Sequence, residues 1–128
     1  MEQIENKSIY EQLGGASAID VVVDKFYDKV LSDSVVKSFF ENTNMNFQRR
    51  HQKNFITFVT GGPKIYQGKN LREIHKKMGL QDIHFDHIKN HLGNTLLQLG
   101  IEKKLVDKVL ELIESLRPDV LNRPKGNY

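Results

Sequence analysis

The 128-residue chain has no cysteine, no tryptophan and only three prolines. Without cysteine it forms no disulfide, ligates no iron–sulfur cluster and offers no thiol nucleophile. That suits a reducing compartment, and a cytoplasmic location is the default expectation. No apolar run approaches the roughly 20 residues of a membrane-spanning helix, so no membrane association is expected. Met1 to Lys7 carry neither the basic start nor the apolar stretch of a signal peptide. Signatures of zinc proteases, phosphate loops and dinucleotide folds are missing, and no serine sits in a nucleophile elbow. Hydrolysis without a cofactor has no visible machinery. The net charge of +3 is spread over short clusters, Arg49-Arg50, Lys76-Lys77 and Lys103-Lys104, with acidic residues interspersed. A nucleic-acid partner is not expected, because no basic face with interleaved aromatics stands out.

What remains describes one domain over residues 1–128, with 38% apolar and 27% charged residues. Helical periodicity dominates. Ser8-Ile9-Tyr10-Glu11 is a capping-box pattern that starts a short helix, and Gly14-Gly15 ends it. Ile19, Val22, Val23, Phe26, Tyr27 and Val30 form a stripe along a helix from Ala16 to Leu31. A short turn follows, Val35 to Phe40, and then a helix from about Asn46 to Thr60 with Phe55, Ile56 and Val59 inside. Gly61-Gly62-Pro63 stops it. A helix over 70–79 carries Leu71, Ile74 and Met78 on one face. Phe85, Ile88, Leu92, Leu96 and Leu99 mark a long helix ended by Gly100. A last helix from about Glu102 to Leu116 turns Leu105, Val109, Leu112, Ile113 and Leu116 inward, and Pro118 disrupts its end. The tails, 1–7 and 122–128, are expected to fray. Nothing reads as a strand, so the expected class is all-α.

Two features break the pattern of a plain apolar core. His75 sits among Leu71, Ile74 and Met78. A lone histidine there is usually a core residue satisfied by one hydrogen bond, but neutral imidazole is also the commonest side-chain ligand for a metal. The second feature is the helix from Asn46, whose inner face turns polar at Gln48, His51 and Gln52. Tyr27 adds a hydroxyl to the facing stripe. Buried polar groups without partners cost about 1–3 kcal/mol each. The segment is therefore either a solvent-exposed end or one wall of a pocket. His84, His87 and His91 share a helix face at i, i+3 and i+7. Three histidines can bind zinc, although a half-exposed surface is the expectation for a face beside the apolar stripe. A slot between helices, with Phe40, Phe55 and Phe85 as aromatic lining, suits a flat apolar cofactor with a central metal.

These parts, in this order, resemble the group I truncated haemoglobins. The resemblance runs from about Ile9 to Gly100 and more weakly to Leu121. It rests on Tyr10-Glu11-Gln12-Leu13-Gly14-Gly15, Phe26-Tyr27, Phe39-Phe40, Gln48 with Gln52, Gly61-Gly62-Pro63, Asn70-Leu71 before His75, and His84-Phe85-Asp86. It implies a truncated globin fold, two antiparallel helix pairs sandwiching haem b. His75 matches the proximal iron ligand. Phe40 matches the aromatic packed on the haem, and Tyr27, Gln48 and Gln52 match the distal polar cluster. Phe55, Tyr66, Leu71, Met78, His84 and Phe85 complete the expected cofactor contacts.

Gln48-Arg49-Arg50-His51-Gln52-Lys53 is similar to cyanobacterial members, some of which use this histidine as a second axial ligand. His51 is thus a candidate distal iron ligand, with haem propionates as its other possible partner unless Arg49 or Arg50 serves them. Some members also attach haem covalently through a histidine in the last helix; Ser115-Leu116-Arg117-Pro118-Asp119 contains none. The implied ligands are oxygen, nitric oxide and carbon monoxide, bound by a monomer. Conversion of nitric oxide to nitrate is also implied and needs an unidentified electron donor. An oxygen store and a redox or gas sensor use the same pocket. A cofactor-free helical interaction module remains the alternative from another class.

Overall fold

The computed structural model describes residues 8–62, 75, 76 and 78–123. Capping chemistry begins helix α1 (Ile9–Leu13). The Ser8 hydroxyl accepts from the Glu11 amide and the Glu11 carboxylate accepts from the Ser8 amide, both at 3.1 Å. Gly14 and Gly15 take φ of +119° and +73°, backbone that side chains resist, and turn the chain into α2 (Gly15–Leu31). Every residue of the expected stripe, Ile19 to Val30, is at most 2% exposed. Burial of such side chains contributes about 1.5–3 kcal/mol each. This makes α2 the spine against which helices Met45–Val59 and Asp82–Gln98 pack.

After α2, Asp33 organises a tight turn. Its Oδ1 accepts from the Val35 amide at 2.9 Å, and its backbone carbonyl accepts from Val36 and Lys37. A 3-10 helix, Lys37–Phe40, follows. Helix α3 (Met45–Val59) starts where the Asn44 side chain accepts from the amides of Asn46 and Phe47 at 3.0 and 3.2 Å. It stops where Gly62 donates back to the Thr57 carbonyl at 2.8 Å. A Cβ on Gly62 would lie 2.7 Å from the Tyr10 ring. The residue must be small, because α1 docks on this turn through Tyr10 N–H to the Thr60 carbonyl at 2.7 Å.

Helices α4 (Asp82–Gln98) and α5 (Lys103–Glu114) form the second pair. Gly93 lets Leu110 of α5 approach α4; an added Cβ would meet its Cδ1 at 3.1 Å. This contact turns α5 so that Val106, Val109 and Ile113 are buried, while Leu112 is 37% exposed. The expected inward position of Leu112 is thus corrected, and Val106 takes its place. Pro118 is corrected too. It opens a further short helix, α6 (Arg117–Val120), in the first turn, where no amide hydrogen bond is required.

Arg117 ties that helix back to α4. Its guanidinium donates to Asp82 at 3.0 Å, Asp86 at 2.6 Å and Glu114 at 2.7 Å, and covers the Phe85 ring at 4.3 Å. At the expected frayed end, Arg123 also pairs with Asp82 and its amide donates to the Pro118 carbonyl at 2.9 Å. Residues 1–7 and 124–128, and most of the expected helix over 70–79, lie outside the described residues. Among the described residues there is no strand, and no helix is long and apolar enough to cross a membrane.

Candidate functional site

Helices α2, α3 and α4, the 3-10 helix and the segment around His75 enclose a cavity of about 270 Å³. His51, His75, Tyr27, Phe40, Gln48, Gln52, Phe55, Met78, His84 and Phe85 all line it. The remaining two expected contacts, Tyr66 and Leu71, lie outside the described residues.

The polar face of α3 does reach this cavity. Gln48, His51, Gln52 and Phe55 fall at i, i+3, i+4 and i+7, so one stripe presents three polar side chains and an aromatic. Across from it stands His75. The two imidazole centroids are 6.4 Å apart with the rings tilted by 52°. Burial holds the His51 pKa below the ordinary imidazole value, and the neighbouring His75 adds to the effect. Both influences favour the neutral ring, the form whose lone pair can bind a metal.

Tyr27 is 1% exposed. Its ring meets Phe26 and Phe40 edge-on, with centroids 4.9 and 5.8 Å away. The Gln48 amide donates to the phenol oxygen at 3.2 Å. Burial pushes the phenol up to about 12, and the Gln48 bond and the Arg49 charge offset only part of that. Tyr27 is therefore a neutral hydroxyl at any physiological pH. With its oxygen accepting from Gln48, its own proton is oriented for donation elsewhere. Arg49 turns to α2, where it pairs with Asp24 at 3.4 Å and lies over the Tyr27 ring.

The three histidines of α4 do not converge. His84 faces the cavity, accepts from the Gln81 amide at 2.9 Å and packs edge-on against Phe39. His87 and His91 turn instead to Asp33. The expected half-exposed face is what the structure shows, all three histidines being partly exposed, and no three-imidazole cluster forms among them, because one helix face spans both the cavity and its outer flank.

Other lining residues escaped sequence reasoning as site residues. Ile88 and Leu92 carry a usable signal, since they follow Phe85 at +3 and +7 on one stripe. Ile113 and Val120 line the same cavity. They come from α5 and α6, far along the chain, and carry no local signal.

A family model of the bacterial-like globins matches residues 8–122. The chain belongs to that family. Within it this globin is a group 1 truncated haemoglobin. It is 44% identical to the group 1 truncated haemoglobin of Tetrahymena pyriformis over 91% of its own length and 97% of the relative's. It is 40% identical to that of Synechocystis, over 91% and 98%. The crystal structure of the 2/2 haemoglobin from Synechococcus sp. PCC 7002, in the cyanomet state with covalently attached haem, superposes with a TM-score of 0.85 at 44% identity, covering 91% of this chain and all of the other. In this globin the pairs α2–α3 and α4–α5 are the two halves of the truncated globin fold.

Proposed function

We propose that this globin holds haem b in the cavity and there binds oxygen and other diatomic ligands reversibly. The observation that carries the reading is the facing pair His51 and His75, with centroids 6.4 Å apart. Two metal–nitrogen bonds of about 2.0–2.1 Å take up roughly 4 Å of that distance, and two half-rings fill the rest. The pair is spaced for one metal atom between the imidazoles. The remaining walls fit a flat macrocycle, since Phe40, Phe55, Met78 and Phe85 supply apolar contact.

When bound, haem supplies an iron whose reactivity is set by its axial ligand and by the polarity opposite. His75 is the proximal ligand in this reading. Tyr27 would donate a hydrogen bond to a diatomic ligand there, and Gln48 fixes the phenol by donating to its oxygen at 3.2 Å. Gln52 adds an amide one turn on. His51 would compete with an incoming gas for the iron, which would lower apparent affinity by the fraction of open state. Acid protonates His51 and removes this competition. Nitric oxide and carbon monoxide fit the pocket on the same grounds as oxygen. Oxidation of nitric oxide to nitrate is the finer proposal, and it requires one electron per turnover from a donor outside the chain.

The absorption spectrum tests the reading. Purified protein given haemin should show an intense Soret band and six-coordinate low-spin bands in the ferric and deoxygenated ferrous states near neutral pH. His51→Ala should turn high-spin, and His75→Gly should lose haem faster unless imidazole is added. Protein that stays colourless after haemin addition overturns the proposal. High-spin wild type in both oxidation states returns His51 to the pocket rim.

A further inference from the structure

We propose that Asp33, His87 and His91 form a second metal site, for a divalent transition ion such as zinc, outside the cavity. The three side chains already point at one place. Asp33 Oδ2 lies 2.8 Å from His87 Nδ1 and 2.6 Å from His91 Nε2. One ligand atom from each of the three falls within 4.8 Å of the other two. The carboxylate is aimed from behind, since its other oxygen accepts from the Val35 amide at 2.9 Å. His87 and His91 are separated by four residues on α4, the spacing that puts two imidazoles on one helical face.

The chemistry of the set selects the ion. Two imidazoles and one carboxylate suit zinc, copper or nickel; calcium and magnesium prefer all-oxygen sites. Side-chain exposure of 13% for Asp33, 19% for His91 and 35% for His87 gives an entry path and room for water as a further ligand.

Binding exchanges two hydrogen bonds for three coordinate bonds. A metal-bound imidazole carries its proton on the other ring nitrogen, so the ligand atoms here would be Nδ1 of His87 and Nε2 of His91. With bonds of about 2.1 Å in tetrahedral geometry, adjacent ligand atoms sit roughly 3.4 Å apart. The Asp33–His87 and Asp33–His91 contacts must therefore each open by less than about 1 Å, while the two imidazole nitrogens, within 4.8 Å of each other, settle at the same separation. None of the three residues lines the cavity, yet Val36 and Phe40 follow Asp33, and Ile88 and Leu92 flank the histidines. A bound ion would clamp two walls of the cavity together.

The test uses haem-loaded protein, so that His51 and His75 are engaged, with zinc sulfate as the probe. Titration calorimetry and metal analysis after desalting should find one zinc per chain. Asp33→Asn, His87→Gln and His91→Gln should each weaken binding at least tenfold, with the carbon monoxide Soret band and circular dichroism reporting haem loading and folding separately. X-ray absorption at the zinc edge on wild type needs no variant, and should show a nitrogen/oxygen shell with imidazole scattering. Zinc should also raise the thermal midpoint of wild type and not of Asp33→Asn. No retained zinc, a shell without imidazole, or binding by all three variants as tight as wild type overturns the site. The Soret band in the same samples tests the haem reading independently, so the two can fail separately.

Discussion

Removing one oxygen atom from Tyr27 probes the cavity with the least structural disturbance. In Tyr27→Phe the ring keeps its edge contacts with Phe26 at 4.9 Å and Phe40 at 5.8 Å. What goes is the hydroxyl that accepts from Gln48 at 3.2 Å and that, in the proposed function, donates to the ligand. The first loss is a neutral bond of about 0.5–1.5 kcal/mol, felt in the ligand-free protein. The second is a bond to a polarised diatomic ligand, about 1.5–3 kcal/mol. At roughly 1.4 kcal/mol per decade, oxygen release should speed up about 10- to 150-fold. The pH dependence adds a sharper criterion. Burial pushes the phenol up to about 12, so it remains a neutral donor through the working range. The ratio of variant to wild-type off-rates should therefore stay flat between about pH 6 and 10. Stopped-flow mixing of oxygenated protein with excess carbon monoxide measures both rates. An off-rate within twofold of wild type, or a ratio that changes across that pH range, would refute the assignment of Tyr27 as donor.

Three further outcomes follow from the same contacts. Arg117→Ala should lower stability by about 1–3 kcal/mol in urea unfolding, since three carboxylates and the Phe85 face lose one cation; Arg117→Lys should restore only part, because an ammonium cannot reproduce the fork. Glu114 is held down to about 2 by Arg117 and, second, by Lys89, so this pairing supports the fold above the ordinary glutamate pKa and is lost as pH falls through the native value. Thermal midpoints measured between about pH 5 and 2 should fall less steeply for Glu114→Gln than for wild type, by a modest margin given the side chain's 45% exposure. Haem should extract completely into acidified butanone, because the segment Ser115 to Asp119 carries no histidine; pigment that stays with the protein would reveal a covalent link through another residue.

Periodicity made α2 legible in full, because all six stripe residues point at one core. The capping box at Ser8 was legible for a similar reason, its partners being three residues apart. The polar face of α3 could be seen as anomalous, and ten of the expected contacts do line the cavity. What periodicity could not supply was pairing between distant segments. Asp33 meets His87 and His91 across 54 and 58 residues, and Arg117 meets Asp82 and Asp86 across 35 and 31. Nothing local to either partner announces the other. The face of α5 was misplaced by one position for the same cause. Leu112 fits the helical stripe as well as Val106 does, and only the approach of Leu110 to Gly93 decides between them.

Within the proposed function, the polar stripe makes α3 the element suited to ligand exchange. Its deeply buried residues, Phe55, Ile56 and Thr57, are confined to the C-terminal half. The half that carries Gln48, His51 and Gln52 contributes no fully buried side chain; Phe47 is 62% exposed. What holds that half is the Asn44 cap, the Gln48–Tyr27 bond and two surface ion pairs with α2, Arg49–Asp24 and Lys53–Asp20. Exposed pairs of this kind contribute about 0–1 kcal/mol each. Segments with little apolar burial lie at the low end of local stability, where motion on ligand binding costs least. In the proposed function, His51 would leave or regain its place facing His75 by a shift of the first turns of α3, while Phe55 and Ile56 keep the rest of the helix seated on α2. A globin with an apolar residue at the position of His51 would gain burial there and lose both the competing imidazole and the means of moving it.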